Sequence, residues 1–537
     1  MKKYILIFLL TATGAHIAAQ NDTINRMVLV ESTYKPVVGN ADKRNFLPEE
    51  VKPTMKKEEV IYLNDIAAVK PVGRHPIETP SYTIRQEEWM PGYVHFGYGN
   101  YNNLNGLASY RKQLGFNNTI GVNAFLEGWT GNIRQTDNSK WRSTMHELGI
   151  NADYAHSWDE TSMEIAIGAE RNIYNYRPQA TDVSARQTSA HLWVRTQLKG
   201  TYDDLLSYHF VASLGRFGQD YWQGTKARNA ENAIHLTASI SANLEEWGKA
   251  SLLIANSNLV YGGISNYKNY TSVQLTPKWE YQYGLWSFTT GLNLDFQNIK
   301  GAVVQASPEC KISYVPTERF MIDFIIDGGR HLTSFVSLYA LSPYWNSTKQ
   351  LRSSYEYINA EVRGNVCLTD GMHLAVHGGY RYTGNDLLET PLSSEDIIYT
   401  GITNCNVNRA FVGANTTYTF ADIFKVRGSA DFFHCSSRST SVASARTPQW
   451  DLCLDTQVRV LKNLRAQAGY RYIRFTDIMG DAVYAPISDL NIGAVYVLDK
   501  RWSFSINAHN LLNQRFEQYY GYASQGFNVI AGAAYKF

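Results

Sequence analysis

The last eleven residues of the chain, 527–537, read FNVIAGAAYKF. Apolar or aromatic side chains occupy every second position, namely Phe527, Val529, Ala531, Ala533, Tyr535 and Phe537. Successive side chains of a β-strand point to opposite faces of the sheet. The alternation therefore predicts a strand with one apolar face and one mixed or polar face.

The same alternation can be followed back from the carboxyl end to Tyr93, for example at Trp502, Phe504 and Ile506. It gives about 22 strands, which average the roughly 9–11 residues that a tilted transmembrane strand needs. The pattern predicts an all-β fold: a transmembrane antiparallel β-barrel, preceded by an extended N-terminal periplasmic arm.

Short and long connections alternate along the predicted strands. The short ones are Tyr283–Trp286, Thr369–Met372, Phe420–Ile423, Val460–Leu464 and Leu498–Trp502. The longer ones are 130–144, 175–187, 217–231, 336–354, 386–407, 436–448, 476–486 and 513–525. Outer-membrane barrels have tight periplasmic turns and larger outer loops, so this sidedness favours a barrel over a soluble sandwich.

The composition excludes two other classes of protein. Of 537 residues, 50 are Lys or Arg and 48 are Asp or Glu, so a nucleic-acid binder that relies on bulk positive charge is excluded. The longest apolar run, Tyr4–Leu10, is far shorter than the roughly 18 residues of a membrane-spanning helix. A helical membrane protein is excluded as well.

The amino terminus predicts export. Lys2 and Lys3 precede the apolar run, and Ile17, Ala18 and Ala19 offer small-residue cleavage before Gln20. We therefore expect a signal peptide at 1–19, a Pro-rich, charged and largely extended periplasmic arm at 20–92, and an outer-membrane barrel at 93–537. Seven of the 15 prolines lie in residues 21–92, which cannot bury a core of their own.

Aromatic residues cluster beside the short connections, where their rings would lie at the headgroup level of a bilayer. They are Trp158, Tyr202, Trp247, Tyr283, Trp286, Tyr314, Phe420, Phe424 and Trp502. A soluble core could use each of them singly, but together they favour a membrane girdle.

A barrel of roughly 22 strands is too wide for facing side chains to fill, so a lumen is expected. Candidate lumen-facing residues are Lys425, Arg427, Arg459, Arg465, Arg471, Asp455, Glu361 and Arg363. Their cationic excess would attract anionic solutes or hold the arm in the lumen. The alternative is ordinary cross-strand ion pairing along a wet wall.

Aromatic residues also occur in the predicted outer loops. Tyr344 and Trp345 lie in one loop, and Tyr519 and Tyr520 lie in the last. They could stack on sugars or dock a protein partner, and packing between loops explains them nearly as well.

Nothing in the sequence indicates catalysis or a cofactor. The five cysteines are spread over separate segments without CxxC spacing, so neither a disulfide framework nor a metal site is expected. His434 and Cys435 are adjacent on a strand and would point to opposite faces, so they do not form a dyad. We expect no catalytic, cofactor-binding or metal-binding residues, and no enzyme.

The carboxyl end resembles a known family. Residues 508–516 read AHNLLNQRF, and residues 526–528, GFN, lead into the last strand. This resembles the end of TonB-dependent receptor barrels. The terminal aromatic residues, Tyr535 and Phe537, resemble the signal that the barrel-insertion machinery reads.

The resemblance covers 93–537 and departs from the family before it. Such receptors carry a folded plug of well over a hundred residues, whereas residues 21–92 are expected to be mostly extended. The chain is more similar to plug-less, receptor-like barrels of the Bacteroidetes.

Two functions remain open. The first is passage or uptake of solutes through a receptor-like barrel without its own folded plug. The second is a non-transporting subunit that scaffolds an outer-membrane complex through its arm and loops. Expected partners are outer-membrane lipid, the insertion machinery during biogenesis, and a periplasmic or outer-membrane protein at the arm, with no nucleic acid.

Overall fold

The computed structural model describes residues 90–537 except 180–185, 203–204, 223–225, 264–265, 299–302, 346–348, 394–396, 422, 438–444 and 479–483. The side chains of 221–222, 226 and 391–393 are also not described. The predicted signal peptide and nearly all of the predicted arm lie outside the described residues.

The described residues form 25 strands, one short α-helix and two 3₁₀ turns. The strands are β1 (Gly92–Gly99), β2 (Leu104–Gln113), β3 (Asn118–Arg134), β4 (Lys140–Ser157), β5 (Thr161–Asn175), β6 (Arg177–Pro178), β7 (Arg186–Tyr202), β8 (Leu206–Trp222), β9 (Lys226–Asn243), β10 (Lys249–Gly262), β11 (Tyr270–Tyr283), β12 (Trp286–Gln297), β13 (Val304–Thr317), β14 (Phe320–His331), β15 (Ser354–Thr369), β16 (Met372–Ser393), β17 (Ile397–Phe420), β18 (Phe424–Ser436), β19 (Arg446–Leu461), β20 (Leu464–Asp477), β21 (Ile487–Val497), β22 (Trp502–His509), β23 (Glu517–Tyr519), β24 (Tyr522–Ala523) and β25 (Asn528–Lys536). The helix is α1 (Phe335–Leu341), and the 3₁₀ turns are Asn100–Asn102 and Glu245–Trp247.

Twenty-two of these strands form one antiparallel barrel. The sheet closes because β1 pairs with both β2 and β25, with Phe96 opposite Gly106 on one side and Ala533 on the other. The remaining three strands, β6, β23 and β24, are short pieces at the loop end. A barrel of about 22 strands, the predicted fold class, is confirmed.

The two faces of the wall differ as the alternation predicts. Phe324 and Val362 are register partners that are 45% and 49% exposed on the outer face. Asp323, next to Phe324, points the other way, is 2% exposed, and accepts a hydrogen bond from the Ser313 hydroxyl. Apolar side chains such as Phe324 therefore face lipid, and polar side chains such as Asp323 point inside.

The short connections lie where the sequence predicts them. β11 and β12 are joined by Gly284 and Leu285 alone, and the positive φ of Gly284, 55°, suits a residue without a Cβ. Seven of the nine predicted girdle aromatics are 38–76% exposed beside such turns: Trp158, Tyr202, Trp247, Tyr283, Trp286, Phe420 and Trp502. The Tyr314 ring stacks on that of Trp286, with 4.3 Å between ring centroids.

Three of the longer connections are shorter than predicted, and that part of the prediction is wrong. Residues 217–231 and 386–407 are mostly strand, and the connection predicted at 130–144 shrinks to 135–139. β16 and β17 have 22 and 24 residues, far more than the roughly 9–11 that cross a bilayer. Backbone pairing continues past the lipid, where no apolar outer face is needed to mark a strand.

Candidate functional site at the outer mouth of the barrel

The long-connection end of the barrel is covered by parts of two loops, residues 332–345 and 516–523, which we call the cap. Helix α1 lies in the first part and is capped by Ser334. The Ser334 side chain accepts a hydrogen bond from the Ser337 amide, and the Ser337 hydroxyl accepts one from the Ser334 amide. Apolar residues at a spacing of three, Phe335 and Leu338, are 1% and 2% exposed. One face of this short helix is therefore fully packed.

The helix packs on the inner face of β8 and β9. Phe335, Leu338 and Trp345 share a cluster with Phe217, which alternates along β8 with the lipid-facing Leu214 and Arg216. Glu231 on β9 is 1% exposed, and its Oε2 accepts a hydrogen bond from the Phe335 amide at 3.0 Å. A carboxyl oxygen at the first turn satisfies a helix amide that has no acceptor within the helix.

Tyrosines join this helix segment to the last loop. The rings of Tyr344 and Tyr522 stack with 3.6 Å between centroids and an interplanar angle of 7°. Trp141, Tyr174 and Tyr176 pack around them in one buried cluster. The Tyr522 hydroxyl donates to the carbonyl oxygen of Ile398 and accepts from the Arg177 amide. Burial raises the pKa of Tyr522 well above its ordinary value, so this hydroxyl stays neutral.

Thr400 connects three chain segments and is 0% exposed. Its amide donates to the carbonyl oxygen of Tyr344 at 3.1 Å, and its hydroxyl accepts a hydrogen bond from the Ser342 hydroxyl at 3.0 Å. The same hydroxyl donates to the carbonyl oxygen of Tyr520 at 3.1 Å. β17 and both parts of the cap are thus held at one residue.

Backbone pairing also crosses the mouth. β6 pairs with the start of β17 through Arg177–Ile398 and Pro178–Ile397. β6 follows β5, and β5 and β17 lie halfway around the ring of 22 barrel strands from each other. A loop segment from one side of the wall therefore pairs with the outer tip of a strand from the opposite side.

Ion pairs flank these contacts. The Arg177 guanidinium pairs with Asp137, and that of Arg446 pairs with Glu389. The Ser139 hydroxyl is the largest influence that holds the pKa of Asp137 below its usual value, with Arg177 adding to it, so this carboxyl stays ionised. Arg446 also donates to the carbonyl oxygens of Glu517 and Gln518.

Below the cap, the inner wall carries further ion pairs. Arg330 donates to Asp295 at 3.3 Å, and both side chains are at most 5% exposed. Lys278 pairs with Glu309 at 2.6 Å. Further ion pairs continue the pattern around the ring, at Arg381–Glu356 and Arg409–Asp386, and the His377 ring contacts the Asp431 carboxyl at 3.0 Å. The wall is polar and electrostatically matched.

The eight lumen-facing candidates occupy wall positions of this kind. Arg363 and Glu361 form an ion pair at 2.7 Å, and Arg471 pairs with Asp451 at 2.9 Å. In register, Arg427 lies opposite Asp455, Lys425 opposite Gln457, and Arg459 opposite Arg465. These three register pairs lie near the short turns, far from the cap.

The outer-loop candidates lie in the cap, but their rings are used for packing. Tyr344 and Trp345 are 3% and 1% exposed, and Tyr519 contacts Tyr344 with 5.7 Å between ring centroids. The Tyr520 ring packs against Tyr484. At the other end of the barrel, Tyr535 and Phe537 stack on each other, and Phe537 is 48% exposed.

Sequence reasoning missed Glu231 and Thr400. Both residues fall within connections that were predicted to be loops, so they were not assigned to a face of a strand. Alternation could have placed Glu231 on the inner face of β9, with Asn229 and Ala233. No pattern in the sequence could have identified their contacts, because these join segments more than 50 residues apart.

The described residues contain no group of three or more His, Cys, Asp or Glu side chains placed to hold a metal ion. In the part of the chain that the structure describes, no helix is both long enough and apolar enough to cross a bilayer.

Comparison with known proteins agrees with this fold. A family model described as the outer membrane protein beta-barrel family matches residues 350–531. The structure is similar to the FrpB iron transporter of Neisseria meningitidis (TM-score 0.67, 10% identity, 84% of this chain and 82% of that chain). It is also similar to the siderophore receptor PirA of Acinetobacter baumannii (0.66, 9%, 83% and 80%) and to a mutant of the ferric enterobactin receptor PfeA of Pseudomonas aeruginosa (0.64, 13%, 83% and 80%).

No curated protein matches the sequence. At these identities the structural likeness shows the fold. The protein is an outer-membrane β-barrel that shares the fold of these iron-transporter and siderophore-receptor structures.

Proposed function

We propose that this protein passes solutes across the outer membrane through its barrel, and that the cap controls entry from outside. The observation that carries the proposal is the polar, ion-paired inner wall beneath a cap built from loops. A wall of 22 strands is too wide to be filled by its own side chains, so its polarity suits a wet path.

The similar solved structures support transport as the class of function, because one is an iron transporter and another is a siderophore receptor. The finer parts of the proposal are our own: the barrel has no folded plug of its own, and residues 20–92 act as an extended periplasmic arm. Tyr535 and Phe537 serve as the signal for barrel insertion.

The lumen-facing residues near the short turns indicate which sign of solute charge the barrel would favour. Lys425, Arg427, Arg459 and Arg465 stand close together there with Asp455. We propose that they favour anionic solutes on the periplasmic side.

Single-channel conductance in planar bilayers tests the proposal, using the full chain and a variant without residues 21–90. Because the cap still closes the outer mouth, we expect removal of these residues to raise conductance only when the cap is opened as well. Absence of conductance from both proteins, under conditions that also open the cap, would rule out the solute path.

A second candidate is a non-transporting subunit that scaffolds an outer-membrane complex through its arm and loops. What supports it is the cap itself, because packed loops offer a fixed outer surface for a neighbour. Pull-down from native membranes decides between the two. Recovery of a stoichiometric partner supports the scaffold, and recovery of the barrel alone counts against it.

A further inference from the structure

The lipid face of β4–β9 carries an apolar groove of about 660 Å³, within the usual size range of small-molecule sites. Its walls are branched aliphatic side chains that are 38–54% exposed: Ile150, Ile167, Leu192, Val194, Leu214 and Ile234. Such a surface faces hydrocarbon in a barrel.

Small residues make the groove. In register, Ala169 lies between Ile150 on β4 and Leu192 on β7, so two large side chains flank a gap. One row closer to the long-loop end, Ala190, Gly218 and Ala230 lie side by side. The depression therefore runs from the apolar belt toward the outer end of the strands.

Four arginines surround the outer end of this groove on the same face. Arg216 is in its lining, opposite Leu192 in register, and Arg171 is in the next row, opposite Ala190. Arg228 and Arg186 lie within two residues of the long-loop ends of β9 and β7. All four are exposed.

Within the described residues none of these arginines forms a salt bridge, although Asp220 lies opposite Arg228 in register. Asp220 is the acid on their face, and it is 6% exposed and accepts a hydrogen bond from Thr188. The clustering is also one-sided. On the far side of the ring, β20 places Arg474 outward beside Trp450 as a single cation.

The apolar groove and the arginines together indicate which kind of ligand this surface would bind. A guanidinium matches a phosphate group with two parallel hydrogen bonds, and cations at a lipid surface recognise anionic headgroups. Acyl chains fill an apolar groove next to such cations. The arginines stand at the long-loop end, which faces the outer leaflet.

We propose that this surface binds a lipopolysaccharide molecule of the outer leaflet, with acyl chains in the groove and lipid A phosphate on Arg171, Arg216 and Arg228. The site lies on the outside of the wall and is independent of any path through the barrel. It gives the protein a fixed lipid partner and orients it in the leaflet.

The test uses the full-length protein, purified and delipidated, with three probes: phosphorylated lipid A, dephosphorylated lipid A and phosphatidylglycerol. Native mass spectrometry counts bound lipid, and titration gives the affinity. We expect a one-to-one adduct with phosphorylated lipid A. The variant with Arg171→Ala, Arg216→Ala and Arg228→Ala should bind it roughly a hundredfold more weakly, since each cation near a lipid phosphate contributes about a factor of five.

Two matched controls separate binding from folding. Arg474→Ala removes an outward arginine on the far side and should bind as the parent protein does. Ala169→Trp fills the groove while keeping every arginine and should weaken binding about tenfold, whereas Ala410→Trp, an exposed alanine on β17, should not.

Equal binding of phosphorylated and dephosphorylated lipid A would overturn the proposal. So would phosphatidylglycerol binding as tightly as lipid A, or an unchanged affinity in the triple variant. If the triple variant does not fold, the Ala169→Trp and Ala410→Trp pair decides: equal affinities in those two would also overturn it.

Discussion

Individual side chains hold the cap to the wall, and Glu231 is the clearest case. It offers its carboxyl to the first amide of α1 from a position 1% exposed. Tyr344 was predicted as a loop aromatic, and its position in the loop is as expected. Its burial could not be predicted, because the stacking partner Tyr522 comes from a loop 178 residues further along the chain.

Replacing Glu231 by Ala should loosen α1. The Phe335 amide then loses its acceptor in a buried place, which costs about 1–3 kcal/mol. Hydrogen exchange of the α1 amides should accelerate about tenfold or more. Glu164→Ala removes an exposed carboxyl near a short turn of β5, without a cap contact, and serves as the control. Equal exchange rates in the two variants would show that Glu231 does not hold the helix.

At the scale of elements, the barrel strands could be predicted and their outer extensions could not. Inside the bilayer each strand must present an apolar face to lipid, so apolar residues recur at every second position of the sequence. Beyond the bilayer both faces meet water, loops or neighbouring strands, so the period fades. This is why residues 386–407 looked like a loop although they belong largely to β16 and β17.

The extended hairpin of β16 and β17 is held to β19 by Glu389 and Arg446, whose side chains are 19% and 7% exposed. Glu389→Gln leaves the guanidinium buried without a counter-charge, so it should destabilise the hairpin contact by about 3–5 kcal/mol. Local opening of residues 385–404, measured by hydrogen exchange, should rise accordingly.

The double variant Glu389→Leu with Arg446→Met removes both charges and should regain most of that loss. Asp370→Asn breaks the exposed pair with Arg319, where the side chains are 94% and 63% exposed, and should change little. A double variant no more stable than Glu389→Gln alone would mean that the ion pair is not what holds the hairpin.

At the scale of the whole molecule, strand number, closure and sidedness of the connections could be predicted from alternation alone. The pairing of β6 with the outer tip of β17 could not, since it depends on how far the loops fold inward. The strands that carry the lumen-facing candidates could be predicted from the sequence. Their neighbours on adjacent strands could not, because these depend on the strand register.

Charge selectivity of an opened barrel tests the role of that group. Arg459→Gln with Arg465→Gln removes two cations that face each other across β19 and β20. In a salt gradient, the reversal potential of the opened parent should indicate anion preference, and the variant should shift toward cations. The paired residues Arg363 and Glu361 give the control, because Arg363→Gln with Glu361→Gln leaves net charge unchanged. An identical reversal potential in parent and variant would exclude a role in selection.

The most direct measurement is single-channel conductance after removal of the helical part of the cap. The chain without residues 21–90 is compared with the same chain in which 335–350, including α1, is replaced by a short Gly/Ser linker. Our account predicts that the variant with the linker shows large, stable conductance steps and that the protein with its cap stays closed or nearly so. If neither protein conducts, although heat-dependent migration in gel electrophoresis shows that both barrels are folded, a solute path through the barrel would be contradicted.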